Sequence, residues 1–133
     1  MLFLDTSALV KRYVEEEGTG LVLRLMDQDP IWAASAVART EAEITLCRLG
    51  FGPAEADALG KRLREDWDRF HVVPVDPACL DRAAAIGCRH EVRTLDALHL
   101  AAADRLPRPV VMLTFDRRQG DAARSLDLLV EGA

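Results

Sequence analysis

Short apolar runs punctuate this chain, and longer stretches between them repeat their apolar positions at helical spacing. Leu2-Phe3-Leu4, Ile31 to Ala34, Phe70 to Val75, Val110 to Phe115 and Leu128 to Val130 are the short runs. Runs of this length and continuity predict strands covered on both faces. Between them, Ser7 to Val14 predicts a short helix, and Glu15-Glu16-Glu17-Gly18 a solvated break. Thr19 is placed to cap a second helix over Leu21, Val22, Leu25 and Met26 that stops before Pro30. Ser35 caps a third that ends at Gly50, and Pro53 opens a fourth carrying Ala56, Leu59, Leu63 and Trp67. Pro77 opens a fifth through Ala83 and Ile86, Thr94 caps a sixth with Leu95, Leu98, Ala102 and Leu106, and a short seventh starts near Arg118. Strands alternating with helices predict an α/β fold with a parallel sheet. Nothing divides residues 1–133 by linker, repeat or low-complexity tract, so a single domain is expected.

Charge enters next. The chain has 17 basic and 22 acidic side chains, a net charge of −5, which argues against a broad phosphate-binding face. Nucleic acid stays compatible with that balance where divalent cations in an acidic site supply positive charge. Cys47, Cys79 and Cys88 contain no C-x-x-C pair, and with His90 they lack zinc-ligand spacing. Free thiols and the absence of a leader or membrane-length apolar run point to the cytoplasm.

Four acids fall where elements meet. Asp5 ends the first strand, and Asp116 follows the fourth, two residues after Thr114. Asp96 lies in the first turn of the Thr94 helix, where complementing the helix dipole would also account for it. Asp116 has its own plain reading as a turn or N-cap residue. Glu41 follows Val37 and precedes Ile44 at i, i+4, i+7, on an expected core-facing stripe, whereas Glu43 aligns with Arg39 in an ordinary ion pair. Glu41 is therefore preferred over Glu43. In an open parallel sheet, ligands sit past the carboxyl ends of strands, so the four acids can converge on one crevice. Converging carboxylates repel unless a cation neutralises them, and their hard oxygens suit Mg²⁺ or Mn²⁺. Such acidic sites serve in-line phosphoryl displacement.

The segments LFLDTSALVKRY (2–13), SAVARTE (35–41), TLDALHLAAA (94–103) and LTFDRR (113–118) together resemble the PIN domain, specifically the VapC-type toxins of bacterial toxin–antitoxin pairs. The resemblance spans nearly the whole chain. It implies a five-stranded parallel sheet, Mg²⁺- or Mn²⁺-dependent cleavage of RNA, a homodimer, and inhibition by a cognate antitoxin lying across the groove near the acids. Residue by residue, Asp5, Glu41, Asp96 and Asp116 match the family's metal-holding acidic quartet, and Thr6, Ser7 and Thr114 its site-lining hydroxyls. Some members have a further acid just beyond the position of Asp116; here Arg117, Arg118 and Gln119 follow, and Asp121 is unassigned.

His99, one turn after Asp96, is placed to contact substrate but reads first as a packed or half-exposed helix histidine, and no catalytic role is assigned to it. Lys11, Arg12, Arg39, Arg117 and Arg118 flank the acids and are candidates for holding an RNA backbone, or are solvated surface charge. Trp32, Phe51 and Trp67 belong to the core or to a partner groove. A haloacid-dehalogenase-like phosphatase also starts with a strand ending on Asp, but it wants a second Asp where Ser7 stands and a late lysine, and Lys61 is the last lysine here. A non-catalytic binding module and a housekeeping RNA-processing nuclease are the remaining alternatives.

Overall fold

Five very short strands, all parallel, carry the architecture in the computed structural model, which describes residues 1–133. The strands are β1 (Leu2–Leu4), β2 (Trp32–Ser35), β3 (His71–Val73), β4 (Val111–Leu113) and β5 (Leu129–Glu131). The helices are α1 (Thr6–Lys11), α2 (Thr19–Gln28), α3 (Ala36–Arg48), α4 (Pro53–Trp67), α5 (Pro77–His90), α6 (Thr94–Asp104) and α7 (Arg117–Ser125). The strand order is β3-β2-β1-β4-β5, with Leu2 beside both Trp32 and Val111, and Leu4 beside Leu113. The parallel α/β expectation and its five strands hold.

Alternation along β1 sends Leu2 and Leu4 to one face and Phe3 to the other. Leu2 and Leu4 pack with α1 to α4 through Leu9, Val22, Met26, Ala42, Leu46 and Leu63. Phe3 packs with Met112 of β4 and with α5 to α7 through Ile86, Leu100, Ala101 and Ala123. Helix α6 is enclosed beyond its first turn, with Ala97 to Ala103 all buried. Trp32 is buried, Trp67 packs half-buried against the same face and stacks on Phe70, and Phe51 is exposed.

Several boundaries move for identifiable reasons. Asp5 caps α1 by accepting the Ala8 N–H, so that helix starts at Thr6, and it ends at Lys11 rather than Val14. Gly18, at φ +94°, holds the N-cap of α2 in place of Thr19. A Cβ on Gly18 would stand 2.6 Å from the Phe115 ring, so the turn needs glycine for both dihedral and space. Thr19 instead accepts the Glu16 N–H and reaches the Lys11 and Val14 carbonyls. Arg93, not Thr94, occupies the N-cap of α6, and no side chain caps that end. Pairing in β3 stops at Val73, because Pro74 has no N–H to extend a ladder.

With β2 and β3 on one side of β1 and β4 and β5 on the other, the chain reverses its direction of travel across the sheet between β1 and β4. A crevice opens at the carboxyl ends of strands at such a switch point. Asp5 and Asp116 are the residues that leave β1 and β4 there.

Candidate active site

Asp5 is 2% exposed, the most enclosed of the acids at this edge. Its Oδ1 accepts from the Ser7 hydroxyl (2.7 Å) and the Ala8 N–H (3.0 Å), and its Oδ2 from the Thr114 hydroxyl (2.5 Å). Burial pushes its carboxyl above the usual value, and the bonds from Thr114, Ser7 and Ala8 only partly offset that. The same hydroxyls tie β1 to β4. Ser7 Oγ accepts the Phe115 N–H (3.0 Å), and Thr114 Oγ1 accepts the Asp116 N–H (3.1 Å). Asp5 and Asp116 are thus joined through one threonine.

Asp116 caps α7, accepting the Gln119 N–H at Oδ1 (3.0 Å), which leaves Oδ2 facing outward. Asp116 is thus the N-cap of α7, and the same residue stands beside Arg93 at the groove. Gln119, buried at 1% exposure, donates from Nε2 to the Asp96 carbonyl (3.2 Å) and so ties α6 to α7. Asp96 and Asp116 then meet at one cation: Arg93 Nε is 3.3 Å from Asp96 Oδ2, and a terminal Arg93 nitrogen is 3.9 Å from Asp116 Oδ2.

Glu41 stands on the other side of Asp96. Its Oε1 accepts from Thr6 Oγ1 (2.7 Å) and lies 2.6 Å from His99 Nε2. A carboxylate only accepts, so the shared proton belongs to Nε2, while the buried Nδ1 of His99 has no partner. Burial would raise Glu41, but the bonds from His99 and Thr6 outweigh it and hold the carboxyl below its usual value. Glu43 pairs with Arg39 (3.7 Å) and Arg64 (3.1 Å), away from this group, as expected. The apolar stripe expected beside Glu41 is not the buried one, however. Ile44 is 44% exposed, and the buried row of α3 is Ala38, Ala42 and Leu46, of which the two alanines let α3 approach α1.

Two adjoining hollows define the site. One is lined by Glu41, Arg93, Thr94, Leu95 and Asp96. The other is lined by residues that include Arg93, Asp96, Asp116, Arg117 and Arg118. Arg93 and Asp96 belong to both, so Glu41, Asp96 and Asp116 lie along a shared groove, Asp5 is buried behind it and lines neither hollow, and no three of the chain's acidic, histidine or cysteine side chains stand close enough to hold one metal ion as arranged. Asp121 pairs with Arg124 instead.

A model of the PIN domain family matches residues 2–125. The chain belongs to the PIN domain family. A curated relative, Ribonuclease VapC46 of Mycobacterium tuberculosis, is 35% identical over 130 residues, covering 97% of this chain and 95% of its own. Among solved structures, M. tuberculosis VapC20, described as a sarcin–ricin loop cleaving toxin, superposes with a TM-score of 0.74 at 21% identity, covering 92% of this chain and 95% of that one. A chain of a toxin–antitoxin complex from Klebsiella pneumoniae gives a TM-score of 0.68 at 16% identity, covering 87% of each chain. At these identities the two structures establish the shared PIN fold.

Three contributors to this PIN-domain groove escaped the sequence reading. His99 is packed, as expected, yet it also orients Glu41. Arg93 stands three residues before Asp96, a helix-neighbour spacing that marks an ion pair. Gln119 stands three after the Asp116 cap, the spacing of a capping box, although its side chain reaches Asp96 and Thr114 instead of closing that box. Of the flanking cations, Lys11 pairs with Glu16, Arg12 with Asp66 and Arg39 with Glu43, whereas Arg117 and Arg118 line the groove.

Proposed function

We propose that this PIN domain is a divalent-metal-dependent endoribonuclease, the toxin of a type II toxin–antitoxin pair. The observation that carries the reading is the meeting of Asp96 and Asp116 at one guanidinium, with Asp5 tied to Asp116 through Thr114 and Glu41 facing the same groove. The acids fit a divalent ion in two respects: their donors are hard carboxylate oxygens, and a cation already stands between two of them. Asp96 and Asp116 would hold Mg²⁺ or Mn²⁺, with Asp5 and Glu41 completing the acidic set. Bound there, the ion supplies Lewis acidity toward a phosphate oxygen and acidifies water.

The chain's own groups do the rest. Glu41 engages Thr6 and His99 at Oε1, which leaves Oε2 to take a hydrogen bond, and then a proton, from an attacking water. Its lowered pKa keeps it ionised for that task at neutral pH. Thr114 and Ser7 fix Asp5 against rotation. Arg117 and Arg118, at the mouth of the groove, hold the RNA phosphates on either side of the scissile bond.

A ribonuclease named as a 35% identical relative supports RNA as the substrate, and the toxin–antitoxin complex among the structural neighbours supports an antitoxin as the partner. The reading includes a homodimer acting in the cytoplasm, where the three free cysteines stay reduced. The deciding experiment incubates the purified chain with total RNA, with and without Mg²⁺ or Mn²⁺, beside D96N and D116N. Cleavage by the native chain with metal only, and a loss of at least about a hundredfold in each variant, is expected. Undiminished cleavage by either variant rules the assignment out. Growth arrest on expression, relieved by co-expressing a small neighbouring gene, separates a toxin from a housekeeping nuclease.

A further inference from the structure

Arg93 is an unusual residue for the mouth of an acidic groove. It occupies the N-cap position of α6 without making a cap bond, so the helix end does not require its side chain. That side chain is 83% exposed, yet it folds back across the opening with Nε 3.3 Å from Asp96 and a terminal nitrogen 3.9 Å from Asp116. It lines both hollows, and its charge also reaches Glu41. Among the chain's cations, it alone forms ion pairs with two of the four acids.

We propose that Arg93 is a built-in counterion that competes with the divalent cation for Asp96 and Asp116, and so sets the metal concentration at which the groove loads. This rests on the metal-dependent reading given above. Two carboxylates drawn together without a cation repel, and the guanidinium relieves that repulsion in the metal-free chain. It cannot share the space with an ion bound to the same two oxygens, so loading must displace it. Displacement is cheap, because each exposed ion pair is worth at most about fivefold in an equilibrium constant. Arg93 therefore acts as a threshold and not as a block.

The test is titration of the full chain with Mg²⁺ and with Mn²⁺ by isothermal calorimetry, in native, R93Q and R93K forms, with thermal unfolding as the check on folding. R93Q should bind either metal about three- to tenfold more tightly than the native chain, and R93K, which keeps the charge, should stay near native. The gap between native and R93Q should narrow as KCl is raised, because salt screens an exposed guanidinium. A purely structural role would not give that salt dependence. Equal or weaker metal binding by R93Q overturns the inference while leaving the metal-dependent reading in place. No heat of binding in any of the three proteins at millimolar metal overturns both.

Discussion

Replacing Asp5 by asparagine separates what the carboxylate does for the fold from what it does for the chemistry. The amide oxygen can keep the Ser7 and Ala8 bonds, and the amide nitrogen can donate to Thr114 Oγ1, whose hydrogen then turns to Gln119 Oε1, 3.4 Å away. Asparagine is also as good an N-cap as aspartate. Burial raises the Asp5 pKa above its ordinary 3.8 in the folded chain. The contribution of this group to stability is therefore present below pH 3.8 and lost as pH rises through the raised folded value. In metal-free buffer at neutral pH, D5N should be more stable than the native chain by roughly 1 kcal/mol. The gap should close in acid, and RNA cleavage should be lost throughout. Urea unfolding at neutral and acidic pH, paired with a cleavage assay, checks it; a D5N less stable at neutral pH would show that the three hydrogen bonds outweigh burial. At this scale Glu41 was placed by a stripe that is not the buried one, while Asp5 was legible because a carboxylate at a strand end is rare without cause. Arg93 and Gln119 were not, since each acts through an element distant in sequence or by abandoning its local partner.

Helix α1 shows how a tertiary contact overrides a local pattern. Its apolar spacing runs on to Val14, but the helix ends at Lys11. Arg12 Nε (2.9 Å) and the Tyr13 hydroxyl (2.8 Å) both donate to Asp66 Oδ2, in the last turn of α4. Burial acts to raise Asp66, but the bonds from Arg12 and Tyr13 outweigh it and hold the carboxyl below its ordinary value. Its stabilising effect is therefore present above the unfolded value of 3.8 and lost as pH falls through the folded one. D66A removes both charged bonds and leaves the buried Tyr13 hydroxyl unpartnered. It should cost about 2–4 kcal/mol at neutral pH, opposite in sign to D5N, and the deficit should shrink in acid; a pH-independent deficit would assign the effect to packing alone. The sequence could not reveal this junction, because Asp66 lies on a charged helix face with no mark to distinguish it from Glu65 or Asp68. Strand identity and order of elements were legible from apolar runs bounded by Pro and Gly. Strand length was not: the β4 ladder is shorter than its apolar run because Val110 and Thr114 stay buried outside it, and the β3 ladder because Pro74 ends the pairing.

Across the whole molecule, a net charge of −5 and a groove lined by acids leave few cations for an RNA backbone. Lys11, Arg12 and Arg39 are committed to Glu16, Asp66 and Glu43, so the charge-based attraction falls to Arg117 and Arg118, with Arg93 joining them when freed. Three phosphate contacts correspond to a salt slope of about −2 in a log–log plot for a single strand, and two to about −1.4, since each contributes about −0.7. RNA binding should accordingly be only mildly salt-sensitive but strongly dependent on a divalent ion. Fluorescence anisotropy with a labelled RNA and the E41Q chain, which should bind without cutting, measures both quantities. The expected outcome is a slope of about −2 at constant magnesium, falling by about 1.4 in magnitude in an R117Q/R118Q double variant, with affinity collapsing in EDTA. A slope steeper than about −4 would mean that a broad basic face engages the RNA. That result would contradict the charge balance, under which a divalent ion supplies the positive charge that the groove lacks.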